Sequence, residues 1–197
     1  MNEPWVSEKA IVSKDAEIGA GAKIWHNAQV RELANIGENV IISKDAYIGT
    51  GVTIGKNSKI QNSALVYEPA VIDDGVFIGP GVILTNDHFP RAVNSDLTLK
   101  SGSDWELVGV HVRSGAAIGA GAICVAPLTI GKWATIGAGS VVTNDVPDYA
   151  LVVGNPARQI GWVGKSGVKL ETTDNKIFIC PVSGTKYQLI DDHLVEN

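Results

Sequence analysis

Aromatic side chains are scarce in this chain, 6% of its 197 residues, and there is a single methionine. A core of that kind excludes an interior built on stacked rings. There are only two cysteines, Cys124 and Cys180, far apart in the sequence. That is too few for a disulfide framework, and it suits a reducing compartment. No apolar run approaches the roughly 20 residues of a spanning helix, so no membrane insertion is expected. The first residues, Met1-Asn2-Glu3-Pro4-Trp5, offer neither a basic stretch nor an apolar one, so no secretory signal is expected. The expected location is the cytoplasm. Excess positive charge is also missing. A net charge of -5 argues against nucleic acid as a partner, because binding its phosphates takes basic surface.

What the chain does have is a hydrophobic fraction of 45%, 22 glycines and a repeat. Every sixth residue from Val6 through Ile18, Ile24, Val30 and Ile36 to Ile78 and Leu84 is a branched aliphatic, fourteen in all. Four positions after each up to Ile78 stands a small or branched residue, such as Ala22, Ala28, Val40, Ser58 or Val76. Glycine or asparagine recurs between them, as at Gly19, Asn27, Asn39, Gly51 and Gly79. The phase breaks after Leu84 and resumes at Val112, an interval of 28 residues that six does not divide. It then runs through Ile118, Cys124, Ile130 and Ile136 to Val142.

A strand alternates its faces with period two, so a period of six keeps one residue type on one face of a short strand. Glycine and asparagine tolerate the backbone of tight corners. Short strands with a corner every six residues stack as a parallel β-helix, each coil burying its aliphatics only against its neighbours. A helix would instead need apolar spacings of three and four. The expected fold is therefore all-β.

The segments Ile24-Trp25-His26-Asn27, Lys59-Ile60-Gln61-Asn62, Val66-Tyr67-Glu68, Val76-Phe77-Ile78-Gly79-Pro80, Leu84-Thr85-Asn86-Asp87, Pro90-Arg91 and Val153-Gly154-Asn155-Pro156-Ala157-Arg158 carry a resemblance. The chain resembles the hexapeptide-repeat acyltransferases, and most of all the N-acetyltransferases of nucleotide-linked 3-amino sugars. The resemblance implies a left-handed parallel β-helix with three hexads per coil; the broken phase itself predicts a protruding loop, and the runs 176–180 and 186–190 read as the two strands of a C-terminal hairpin appendage. It implies a homotrimer with acyl-CoA between neighbouring chains, a nucleotide-sugar substrate, and a place in bacterial surface polysaccharide (lipopolysaccharide) biosynthesis. Where the family often has His-Gly after Val-Tyr, this chain has Glu68-Pro69. The expected organisation is a β-helix over 1–147 with a loop at 85–108, an extended arm over 148–164 and a small hairpin cap over 165–197.

The loop gathers Asn86, Asp87, His88, Arg91, Lys100 and Trp105, and long insertions of this kind tend to be functional. Two chemistries compete there. His88 as a general base suits a hydroxyl nucleophile, whose proton must be removed. A sugar amine needs less help: Asn86 would position it, as the resemblance implies, and a backbone N–H would stabilise the oxyanion. Asp87 and Arg91 are expected at the substrate. Gln61, Asn62, Tyr67 and Glu68 fall on consecutive hexads and are expected to line one sugar pocket, with exposed corner residues as the alternative. Glu68 would attract a protonated amine. His26 is either a sugar ligand or a contact between chains. For acetyl-CoA, the resemblance points to backbone at Gly121-Ala122 and Ala138-Gly139 and to Arg158 for a phosphate. No metal is expected: His26, His88, His111 and His193 show no ligand spacing, and Cys180-Pro-Val-Ser183 lacks the second cysteine of a zinc ribbon. A non-catalytic solenoid remains the third alternative.

Overall fold

The computed structural model describes residues 2–172, 174 and 176–197. Among them there is no helix; strands, most of them two residues long, alternate with turns. Ile24 pairs in parallel with Ile42, Ile42 with Ile60, and Ile60 with Ile78. The interval is 18 residues, so three hexads make one coil and successive hexads make three faces. The first face runs from Trp5–Val6 through Lys23–Ile24 and Lys59–Ile60 to Ala150–Gly154. The second runs from Ile11–Val12 through Tyr47–Ile48 and Leu65–Val66 to Val141–Val142. The third runs from Glu17–Ile18 through Val71–Ile72 to Leu128–Ile130. This is a parallel β-solenoid.

The six-residue aliphatics from Ile24 to Ile136 are buried, and so are the small residues four places on. A narrow interior explains the shortage of rings. Two serines, Ser58 and Ser140, are fully buried at these positions: the Ser58 hydroxyl donates to the Asp73 carbonyl at 2.9 Å and accepts from the Val76 N–H at 3.0 Å, and the Ser140 hydroxyl accepts from the Gly154 N–H at 3.1 Å. A buried hydroxyl is tolerable when it is hydrogen-bonded.

Most corners are turns closed by a bond such as Ala28 N–H to Trp25 O at 3.2 Å. The third position of these turns takes a positive φ, as at Asn27 (58°), Asn39 (58°) and Gly121 (67°), the geometry of a type II turn. Elsewhere glycine answers crowding: a Cβ on Gly79 would meet the Ala120 nitrogen and the Ile118 carbonyl oxygen at 2.7 Å.

The repeat is interrupted between Ile83–Leu84 and Val110–Val112. Ile78 pairs with Ile118, so the interval grows from 18 to 40 and 22 residues are extra. The stack itself is continuous: Leu84 still pairs with Cys124 and Ile72 with Val112. Toward the C-terminus, Ala150–Gly154 adds an eighth parallel strand to the first face, and Ala157–Trp162 folds back antiparallel against it. Residues 148–164, expected as an extended arm, thus contain a paired hairpin. Beyond it, Glu171–Thr172, Ile177–Ile179, Lys186–Ile190 and His193–Glu196 form an antiparallel sheet of four strands, where two were expected. Its small core of Leu170, Phe178, Cys180, Tyr187 and Leu194 packs on Tyr149 and Trp162.

Candidate active site

Residues 18 apart share a corner; residues six apart occupy different ones. That geometry sorts the site residues. The corner after the second face carries Arg31, Gly49, Tyr67 and Thr85 in one column and Glu32, Thr50, Glu68 and Asn86 in the next. Neighbouring coils lie about 4.8 Å apart, so Asn86 stands one coil from Glu68. In this corner Glu68–Pro69 and Ala126–Pro127 are cis, and between those two coils the chain departs into the loop.

The loop is tied at its base. The Thr85 hydroxyl accepts from the Ala126 N–H at 2.9 Å, and the Asn86 carbonyl accepts from Val108 N–H at 3.2 Å. Asp87 bridges to Leu107, and its Oδ1 accepts from the Phe89 N–H at 2.8 Å. Asp87 therefore shapes the turn by which the loop leaves. The Asn86 side chain is half-buried and has no hydrogen-bond partner among the described residues. His88 is exposed and stacks on Phe89, ring centroids 4.1 Å apart. Arg91 donates to the Pro90 carbonyl at 2.8 Å and lines, with Asp87, Lys100 and Trp105, a depression of about 290 Å³.

Below Asn86 lies a charged and aromatic patch. Tyr47 and Tyr67 have ring centroids 5.2 Å apart. Arg31 donates to Glu32 at 2.9 Å. Burial, then the charge of Glu68, holds the Tyr47 hydroxyl above the usual phenol range. The Oε2 atom of Glu68 is buried without a hydrogen-bond partner. A Cβ on Gly49 would meet that oxygen at 2.1 Å.

His26 and Gln61 sit instead on the corner after the first face, in line with Gly119 to Gly121 and Gly137 to Gly139. The expectation that Gln61 and Asn62 line one pocket with Tyr67 and Glu68 is therefore corrected: consecutive hexads turn a corner, and a single chain does not bring these residues together. Ala120, Gly121, Ala138 and Gly139 form an exposed strip of small residues, and a Cβ at Gly121 or Gly139 would meet nothing. Ala122 is different. Its side chain is in the core, its N–H donates to Gly119 and its carbonyl accepts from Ile83, so it offers a ligand no free donor. Arg158, on the returning strand, is exposed and lines a hollow of about 300 Å³ with Thr143, Asn144 and Gln159. His111 Nε2 lies 2.9 Å from Asp73 Oδ1 on the third face. Among the described residues no group of three or more His, Cys, Asp or Glu side chains is placed to hold a metal ion.

Arg31, Tyr47 and Gly49 escaped the sequence reading. An 18-residue spacing, applied in place of six, groups Arg31, Gly49 and Tyr67 directly.

The repeat model described as bacterial transferase hexapeptide (six repeats) matches residues 34–67. The chain is 49% identical over 80 residues to dTDP-3-amino-3,6-dideoxy-alpha-D-galactopyranose 3-N-acetyltransferase of Aneurinibacillus thermoaerophilus. That match spans 41% of this chain and 41% of the relative. Among solved structures, the hexapeptide transferase family protein of Anaplasma phagocytophilum superposes with TM-score 0.52 at 18% identity, over 83% of this chain and 81% of that one. WeeI of Acinetobacter baumannii AYE superposes with TM-score 0.53 at 26% identity, over 78% and 56% respectively. The first of these likenesses speaks for the fold alone.

Proposed function

We propose that this hexapeptide protein transfers the acetyl group of acetyl-CoA to the amine of a nucleotide-linked amino sugar. The observation that carries the reading is the free Asn86 amide at the loop base, one coil from the unpaired Glu68 carboxylate. The matched amino-sugar N-acetyltransferase supports the choice of acceptor. The amine attacks the thioester carbon, the C–N bond forms, the C–S bond breaks, and the proton released from nitrogen ends on the departing thiolate. An amine that has lost its proton to water is nucleophilic enough, so holding it in place supplies most of the rate. Asn86 does the positioning, a backbone N–H meets the oxyanion, and Tyr67, Glu68, Asp87 and Arg91 hold the sugar.

The small-residue strip at Gly121, Ala138 and Gly139 suits pantetheine, which needs close backbone approach, and Arg158 suits a CoA phosphate. That strip and Asn86 lie on different corners of one chain. A homotrimer in which one chain's strip faces its neighbour's loop completes the site, and His26 and Gln61 then approach the sugar from the neighbour. The outer second face supports this packing: Ile11, Tyr47, Leu65, Ile83, Ile123 and Val141 are aligned there. Both reagents are cytoplasmic, which is where we place the protein, in the supply of acetylated sugars for bacterial surface polysaccharide.

The test is acetyl-CoA turnover on UDP- and dTDP-linked 3-amino sugars and on hydroxyl sugars. Asn86→Ala is expected to lower kcat/KM on an amino sugar by about 100-fold, and His88→Ala to change it little. Turnover confined to hydroxyl sugars and abolished by His88→Ala would replace this reading with O-acetyl transfer.

A further inference from the structure

Most charged side chains near the corner are satisfied. Arg31 is paired with Glu32, and Thr50 Oγ1 also reaches Glu32 at 3.4 Å. Glu68 is the exception. It takes part in none of the ion pairs among the described residues, and its Oε2 is buried with no donor. Burying one carboxylate oxygen without a donor is costly, and the other oxygen, Oε1, is not sealed in this way and is where a cation would reach the group. Glu68 as a whole is only half-buried, so its carboxylate forms part of the wall of the corner.

Its position is enforced from beneath. Gly49 is directly one coil below Tyr67, and a side chain there would strike Glu68 at Oε2 (2.1 Å) and at its backbone nitrogen (2.7 Å). Glycine at 49 is what leaves room for the carboxylate. On its flank the Tyr47 and Tyr67 rings provide an apolar surface, and one coil above is the free Asn86 amide.

Resting on the reading above, we propose that Glu68 is the acceptor-selecting residue: its unpaired carboxylate receives the ammonium of a cationic amino sugar beside Asn86 and disfavours the hydroxyl counterpart. A fixed anion discriminates by charge, and a charge-assisted hydrogen bond is about twice as strong as a neutral one. The amine is bound as the ammonium, loses a proton to solvent, and then attacks from the place where Glu68 held it.

The experiment measures binding by titration calorimetry and turnover in parallel. The probes are dTDP-3-amino-3,6-dideoxygalactose, its 3-hydroxy counterpart, and CoA, against wild type, Glu68→Gln and Gly49→Ala. Wild type is expected to bind the amino sugar about tenfold or more tighter than the hydroxyl sugar. Glu68→Gln is expected to erase that preference, raise KM for the amino sugar by about the same factor, and leave CoA binding unchanged. Gly49→Ala should do likewise by displacing the carboxylate. A wild type without preference, one that binds neither sugar, or a Glu68→Gln protein that keeps the preference overturns the inference. So does a Glu68→Gln protein that changes only oligomer size or melting, which would assign the carboxylate to a neighbouring chain. Charge-selective binding without any acetyl transfer would instead overturn the proposed reaction and leave Glu68 as a cation-binding residue. Acetyl transfer that Glu68→Gln does not impair would do the reverse.

Discussion

The turns show what single residues contribute. Most corners place Asn, Asp or Gly at the position of positive φ, but Leu33 (59°), Trp133 (57°) and Tyr149 (63°) adopt it too. A left-handed backbone costs such residues roughly 1–2 kcal/mol, so each must be held by its surroundings. For Trp133 the reason is visible: its ring covers Gly115, where a Cβ would come within 2.5 Å of it, and Lys165 lies over the same ring. The two cysteines make an opposite pair. Burial pushes the Cys124 thiol up to about 12, so it is an inert core side chain. The Ser166 hydroxyl, then the Ser183 side chain and N–H, hold Cys180 down at about 7. A depressed folded-state value means that the thiolate's hydrogen bonds stabilise the fold above the unfolded value near 9 and are lost as the pH falls through 7. The stability of wild type relative to Cys180→Ala is therefore expected to rise between about pH 7 and 9 in urea unfolding. A difference that stays constant over that range would show that Cys180 remains a thiol.

At the scale of elements, the coil tolerates the loop because the loop begins and ends in one place. Asp87 bridges Leu107, so the insertion closes like a hairpin while Leu84 and Cys124 stack as if nothing lay between them. Replacing residues 88–106 by an Asn-Gly turn, which suits a two-residue hairpin, is expected to leave the circular dichroism and to shift stability by less than about 2 kcal/mol. Acetyl transfer should fall by about tenfold or more, because Arg91, one of the groups proposed to hold the sugar, goes with the loop while Asn86 and Asp87 stay at its base. Full activity in that variant would remove the loop from the site. The interruption was legible from the broken phase. The position of its base, between the Glu68 and Ala126 coils, was not, because six-residue counting does not say which corner a residue occupies.

For the whole molecule, the decisive fact is that the proposed acetyl-CoA strip and Asn86 face different directions. A packed solenoid has no internal cavity, so a two-substrate site requires another surface. The outer second face, apolar at Tyr47, Leu65, Ile83, Ile123 and Val141, is the surface proposed for contact between copies. Leu65→Arg places an unpaired charge there, a cost of about 3 kcal/mol or more in a buried contact. The variant is expected to sediment as a monomer, keep its strand signal and lose acetyl transfer. A monomeric Leu65→Arg protein with full activity would confine the site to one chain.

The all-β solenoid and its interruption are legible in the amino acids alone, since a strict six-residue period of aliphatics can be buried only by stacking short strands. The sequence also named Asn86 and Glu68. Which of the named residues share a corner emerges from the folded coil. It separated Gln61 from Tyr67, withdrew Ala122 into the core, and brought Gly49 and Tyr47 beside Glu68. The physical reason is the 18-residue coil: neighbours in space are one full turn apart in sequence, and each corner in between points another way.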